Sequence, residues 1–96
     1  MKEFKGTPKP WRFDDLEFKI KGTGDIDNLT VIANVSPKMD FSRGKTTQFY
    51  NAQLIATAPE LLEALQEMIE LFPNENIDQQ NAKVKAVLTI NKALGL

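Results

Sequence analysis

Cysteine and histidine do not occur in this 96-residue chain. Without cysteine there is no disulfide, no thiolate nucleophile and no zinc–thiolate centre. Without histidine the commonest general base and the commonest transition-metal ligand are both missing. A strong charge of either sign is missing too: the formal net charge is −1, so no global field draws the chain to nucleic acid or to a membrane surface. The halves differ slightly. Residues 1–48 hold 9 Lys/Arg against 7 Asp/Glu, and residues 49–96 hold 3 against 6, which is too little to make a nucleic-acid footprint. The opening "MKEFKGTPKPW" lacks the apolar core of a signal peptide, and no apolar run reaches membrane-spanning length. The expectation is a soluble cytoplasmic protein that binds no metal and no cofactor. Internal repeats and low-complexity linkers are also lacking.

Hydrophobic residues make up 42% of the chain and charged residues 26%, a balance that folds rather than stays disordered. The length suits one domain, residues 1–96, with a β part in 1–47 and a helical part in 48–96. "GTPKPW" favours an extended entry, because proline fixes its own backbone and restricts the residue before it. Trp11 and Phe13 then alternate with Arg12 and Asp14. After Asp15 the alternation returns as Leu16, Phe18 and Ile20 against Glu17, Lys19 and Lys21, the period of a half-buried strand. "GTGDIDN" reverses the chain. A second strand, 29–35, puts Leu29, Val31, Ala33 and Val35 on one face. The expected sheet is antiparallel and has two strands, or three if 11–14 pairs. Leu16, Phe18, Ile20, Val31, Ala33 and Val35 should face the helices.

From Gln48 the period becomes that of a helix. Pro59 lacks an N–H and suits a first helical turn, and Thr57 with Glu60 has the form of a capping box. The reading is therefore a short helix over 48–57, a bend, and a second helix over 58–72 with an apolar stripe of Leu61, Leu62, Leu65, Met68, Ile69 and Phe72. Asn76 with Gln79 forms another capping pattern. It opens a helix over 77–94 that shows Val84, Val87, Leu88, Asn91 and Leu94 on one face and is closed by Gly95. The short break predicts a helical hairpin whose stripe covers the sheet, giving a two-layer α+β domain.

The stretch "NAQLIATAPELLEALQEMI" resembles a segment of small accessory proteins of tailed phages and prophages, written N-A-x-L-I-A-x-A-P-E-L-L-E-A-L. Asn51, Ala52, Leu54, Ile55, Ala56 and Ala58 to Leu65 fit it. Gly6, Thr7, Pro8, Pro10 and Trp11 fit the G-T-P-x-P-W opening of many of those proteins. The resemblance covers nearly the whole chain and implies a phage or prophage origin. It implies no activity, since such proteins are mostly of unassigned function. The sparse arginine and the replacement of several alanines mark a divergent member.

Each candidate site has a plain structural explanation beside the functional one. Trp11 is an interface anchor or the plug of a small core. Lys38, Phe41, Arg43 and Lys45 join cations to an aromatic, as single-strand binders do, or form a solvated loop. Asp14 and Asp15, or Asp25, Asp27 and Asn28, are cation ligands or turn residues, and "DIDN" lacks the glycine and distal glutamate of a calcium loop. "GKTT" has Met39 where a phosphate-binding loop needs its first glycine. No catalytic constellation is legible. The expectation is a non-enzymatic module that binds a host or phage protein, as in blunting a host defence, and the apolar helices admit a homodimer. The alternative is a nucleic-acid-associated protein using the basic loop at 38–45.

Overall fold

The computed structural model describes residues 2–22, 31–35 and 47–96. Its elements are β1 (Trp11–Asp14), β2 (Lys19–Gly22), β3 (Val31–Asn34), α1 (Thr47–Leu71) and α2 (Ile77–Leu94). The chain divides into two compact units: Gly6–Glu60, and Met1–Lys5 with Leu61–Leu96. No helix among the described residues is long and apolar enough to cross a membrane.

The first unit is an α+β sandwich in miniature. Its strands form an antiparallel sheet in the order β1-β2-β3, so residues 11–14 do supply a third strand. In the β1–β2 pair Trp11 stands opposite Gly22, Arg12 opposite Lys21, Phe13 opposite Ile20 and Asp14 opposite Lys19. Pleating then sends Trp11, Phe13 and Ile20 to one face and Arg12, Asp14 and Lys21 to the other. The apolar face packs on α1. Ile20, Val35, Ala52 and Ala56 are buried together, with Trp11, Phe13, Phe18, Ile32, Ala33 and Ile55 around them. Ala52, Ile55 and Ala56 stand at i, i+3 and i+4, one helical face, and the two alanines let the helix approach the sheet closely. The rings of Phe13 and Phe49 meet edge to face at 6.0 Å.

Two members of the expected sheet face are corrected. The strand does not begin at Leu16: residues 15–18 form the β1–β2 turn, and Leu16 is 91% exposed. An Asx turn causes this. Asp14 Oδ1 accepts the N–H groups of Leu16 and Glu17 at 3.0 and 3.2 Å, and such local bonds compete with strand pairing. Phe18 ends the turn at φ 53, a left-handed conformation that a bulky residue adopts only when its surroundings hold it. Here its ring lies 5.8 Å from that of Phe13 and its carbonyl accepts the Val35 N–H at 2.8 Å. Val31 is the second correction. The β2–β3 register shifts between Ile20 and Lys21, so that Ala33 faces Ile20 while Val31 faces Lys21. The extra residue turns Val31 outward and lets Ile32 join the core.

The helical part needs a larger correction. There is no separate short helix over 48–57: α1 runs unbroken from Thr47 to Leu71 with Pro59 inside it. Thr57 caps nothing. Its hydroxyl donates to the Gln53 carbonyl one turn back, at 2.8 Å. The sheet is covered by the segment of α1 before Pro59.

In the second unit α2 begins and ends where its caps predict. Asn76 is extended at φ −140, ψ 171, and its side chain accepts the Gln79 N–H at 2.9 Å. Gln79 Oε1 in turn accepts the Glu75 N–H, one residue before the position of a standard capping box. At the other end Gly95 sits at φ 79. Its N–H reaches Lys92 O and the Leu96 N–H reaches Asn91 O, the paired bonds of a Schellman end. The buried or half-buried face of α2 is Gln79, Lys83, Ala86, Ile90, Asn91 and Leu94; Val84, Val87 and Leu88, expected there, are exposed. Of the expected stripe, Leu62, Leu65 and Ile69 on α1 and Phe72 just beyond it are half-buried, while Leu61 and Met68 face out. Gln66 Nε2 donates to Lys2 O at 2.9 Å, tying the amino-terminal arm to α1.

Candidate functional site

Trp11 lies in the first unit, half-buried against the Ile20 cluster, and its indole N–H donates to the Thr7 carbonyl at 2.9 Å. That bond folds the "TPKPW" stretch, with its cis Lys9–Pro10 peptide, onto the start of β1. Lys38, Phe41, Arg43 and Lys45 lie outside the described residues, as do Asp25, Asp27 and Asn28. Trp11 is thus the one member of the suggested partner-binding set whose surroundings are described.

Asp14 anchors a network on the polar face of the hairpin. Lys21, only 8% exposed, places its ammonium 3.0 Å from Asp14 Oδ2 and 2.6 Å from Glu17 Oε2. Arg12 approaches Asp14 at 3.9 Å. Arg12 and Lys21 are direct cross-strand neighbours, a like-charge pairing that opposes the hairpin; the two carboxylates beside them offset it. Lys21, followed by the Glu17 and Leu16 N–H groups, holds the Asp14 carboxyl below its ordinary value. Glu17 and then Asp14 hold Lys21 above its own. Lys21 is therefore charged at neutral pH and clasps the turn. From sequence Asp14 reads as a turn residue or a cation ligand, and alternation alone does not show the lysine between the two carboxylates. Its signal was there: Glu17 and Lys21 flank a turn opened by Asp14. Among the described residues no three acidic side chains are grouped to hold a metal ion.

In the second unit a groove of about 170 Å³ runs between α1 and α2. Ile69, Val87, Ile90 and Leu94 form its apolar wall, and Lys2, Gln66, Glu70 and Asn91 its polar edges.

The outward faces of the helices carry a pattern the sequence reading missed. Along α1, Tyr50, Leu54, Thr57, Leu61, Ala64, Met68 and Leu71 follow at alternating steps of four and three, and every one is exposed. Along α2, Ile77, Asn81, Val84 and Leu88 do the same. The steps along α1, 21 residues in six, average 3.5, the spacing of a seam that faces another helix, whereas a helix on a globular core averages 3.6; on α2 the same alternation runs only from Ile77 to Leu88. The pattern is legible in the spacing, but the leucines at 61, 62 and 65 fit the stripe of a core-facing helix as well.

No curated protein and no solved structure matches the chain. A family model does match, and it matches end to end. The G-T-P-x-P-W opening and the helical motif, one folded against β1 and the other forming α1, had already pointed to tailed phages, and the chain belongs to the family described as Salmonella phage P22 protein Y8K6, whose model covers residues 1–96.

Proposed function

We propose that this phage protein acts without catalysis, by binding a host or phage protein through the outward face of α1, and that a component of host defence is the kind of target it serves to blunt. One observation carries the reading. Tyr50 and Leu54 stand on the outside of the helix that covers the sheet, Tyr50 61% exposed, while the inside of the same helix is fixed by Ala52, Ile55 and Ala56. Tyrosine is enriched at interfaces because one rigid ring supplies apolar area and a polar tip together. The Tyr50 ring is braced edge to face at 5.7 Å by Phe49, which lowers the entropy lost on binding.

The test is capture from infected and uninfected lysates with the wild-type chain and with Tyr50→Ala/Leu54→Glu. A protein retained by the wild type and lost with the variant supports the reading. Retention of a nuclease-sensitive species, weakening steeply with salt, overturns it in favour of the nucleic-acid alternative through Lys38, Arg43 and Lys45. Equal retention by both chains removes this face as the site.

A further inference from the structure

Four exposed charges border the outward seams of α1 and α2. Glu60 and Glu67 precede Leu61 and Met68 on α1; Lys85 and Lys92 border the Val84–Leu88 seam on α2. Each pair is seven residues apart. Among the described residues none of the four takes part in an ion pair, although Asp14, Glu17 and Lys21 elsewhere do. Charges seven residues apart on each helix, beside exposed apolar residues that are also seven apart, Leu61 and Met68 on α1 and Ile77 and Val84 on α2, define a register.

In heptad terms Glu60 and Glu67 stand directly before the seam residues Leu61 and Met68 of α1, and Lys85 and Lys92 share the flanking position on the other side of the α2 seam, one residue after Val84 and one turn after Leu88. When two such helices run parallel, a residue of the first kind meets a residue of the second kind on the facing helix. Placing Ala64 beside Val84 and Met68 beside Leu88 of a second copy then sets Glu60 opposite Lys85 and Glu67 opposite Lys92. Both charge pairs form in one register. The other pairings fail. An antiparallel α1–α2 contact puts the glutamates against Gln80 and Val87. An α1–α1 contact puts them against Leu65 and Phe72 or against each other, and α2–α2 leaves both lysines without an acid.

We propose that the chain self-associates by laying α1 of one copy parallel to α2 of a second, with Glu60–Lys85 and Glu67–Lys92 pairs along the seam. Two copies making the contact reciprocally close as a dimer. The inner faces of the helices, at Ile69 and Ile90, are already turned to each other within the chain and stay as they are. This inference does not rest on the partner reading above, which uses Tyr50 and Leu54.

The experiment is a pair of charge reversals, Glu67→Lys and Lys92→Glu, followed by sedimentation equilibrium. The wild type should weigh more than one chain at micromolar to sub-millimolar concentration. Each reversal alone should weaken association roughly tenfold, since attraction becomes repulsion at each contact. A one-to-one mixture of the two variants should recover it, because every contact between unlike copies again joins Lys to Glu. Both side chains are exposed, and unchanged helical circular dichroism confirms that the variants fold. A wild-type monomer at the top of the range overturns the proposal, as does a mixture no stronger than its components.

Discussion

At the scale of single residues, Asp14 does more than its place in a turn suggests. One carboxylate oxygen accepts two backbone N–H groups and the other binds Lys21. Asn at this position keeps an oxygen for the turn and loses the charge; Ala loses both. Asp14→Ala should therefore lower the thermal midpoint more than Asp14→Asn, read by circular dichroism at pH 7. The dependence on pH follows from the directions of the two shifts. The Asp14 carboxyl is held below its ordinary value. Its contribution to stability is thus present above about 3.9, the usual Asp value, and is lost as the pH falls towards the lowered one. Lys21 is raised, so its contribution is complete below about 10.4 and is lost as the pH rises through the raised value. Between these limits the clasp is intact. Melting at pH 7 and pH 3 should show a larger loss for the wild type than for Asp14→Asn, and equal losses would remove the carboxylate from the account.

At the scale of elements, α1 and α2 differ in how openly their sequences declare them. The limits of α2 were readable because its caps are local chemistry: Asn76 takes the Gln79 N–H, and Gly95 adopts a left-handed turn. Nothing lies within 4 Å of a Cβ built on Gly95, so Gly95→Ala should cost about 1–2 kcal/mol from backbone conformation alone. Asn76→Ala should cost about 1 kcal/mol. Urea denaturation measures both. The limits of α1 were not readable, because Pro59 has two local meanings, a first turn or an interrupted interior, and the choice between them is made by packing. Ala52, Ile55 and Ala56 on one side of Pro59 are held by the sheet, and Leu62, Leu65 and Ile69 beyond it are held in the second unit. Helix on both sides leaves the proline inside. Pro59→Ala restores a donor to the Ile55 carbonyl and removes a ring clash that costs about 3 kcal/mol, against roughly 0.4–1 kcal/mol lost through a freer unfolded chain. The variant should be more stable by about 2 kcal/mol, and a less stable one would show that the proline shapes the packing around it.

At the scale of the whole molecule, the class of fold was legible and the allocation of apolar residues was not. Period-two alternation gave the β1–β2 face of Trp11, Phe13 and Ile20, because that face is buried and the other solvated. It failed at Leu16, where an Asx turn outcompetes pairing, and at Val31, where a bulge changes the parity. Both are events that alternation alone cannot contain. On the helices, apolar residues outnumber the places in one buried face, so periodicity points Val84 and Leu88 inward although Ala86 and Ile90 hold that side. Of the suggested site residues, Trp11 was placed in view, and the loop at 38–45 falls outside the described residues. The modest burial of Leu65 also moderates its worth. It is half-buried, so Leu65→Ala should cost about 1–2 kcal/mol in chemical denaturation, below the range for a fully buried leucine. Adding EDTA should leave the thermal midpoint where it is. A fall would direct the search to metal ligands outside the residues described.

The interrupted ladder of α1 also governs how the chain opens before it unfolds. An amide hydrogen exchanges with deuterium from water when its bond breaks, so neighbours of a missing rung open without a global transition. Pro59 has no amide to report, but the turn around it does. Amides of Glu60 to Glu63 follow the gap, and Thr57 already spends its hydroxyl on Gln53 O. Exchange should therefore run faster there than at Ala52–Ala56 or Leu65–Ile69. The helix would then record itself as two slow blocks separated by one fast turn, at the place where the two compact units meet in sequence.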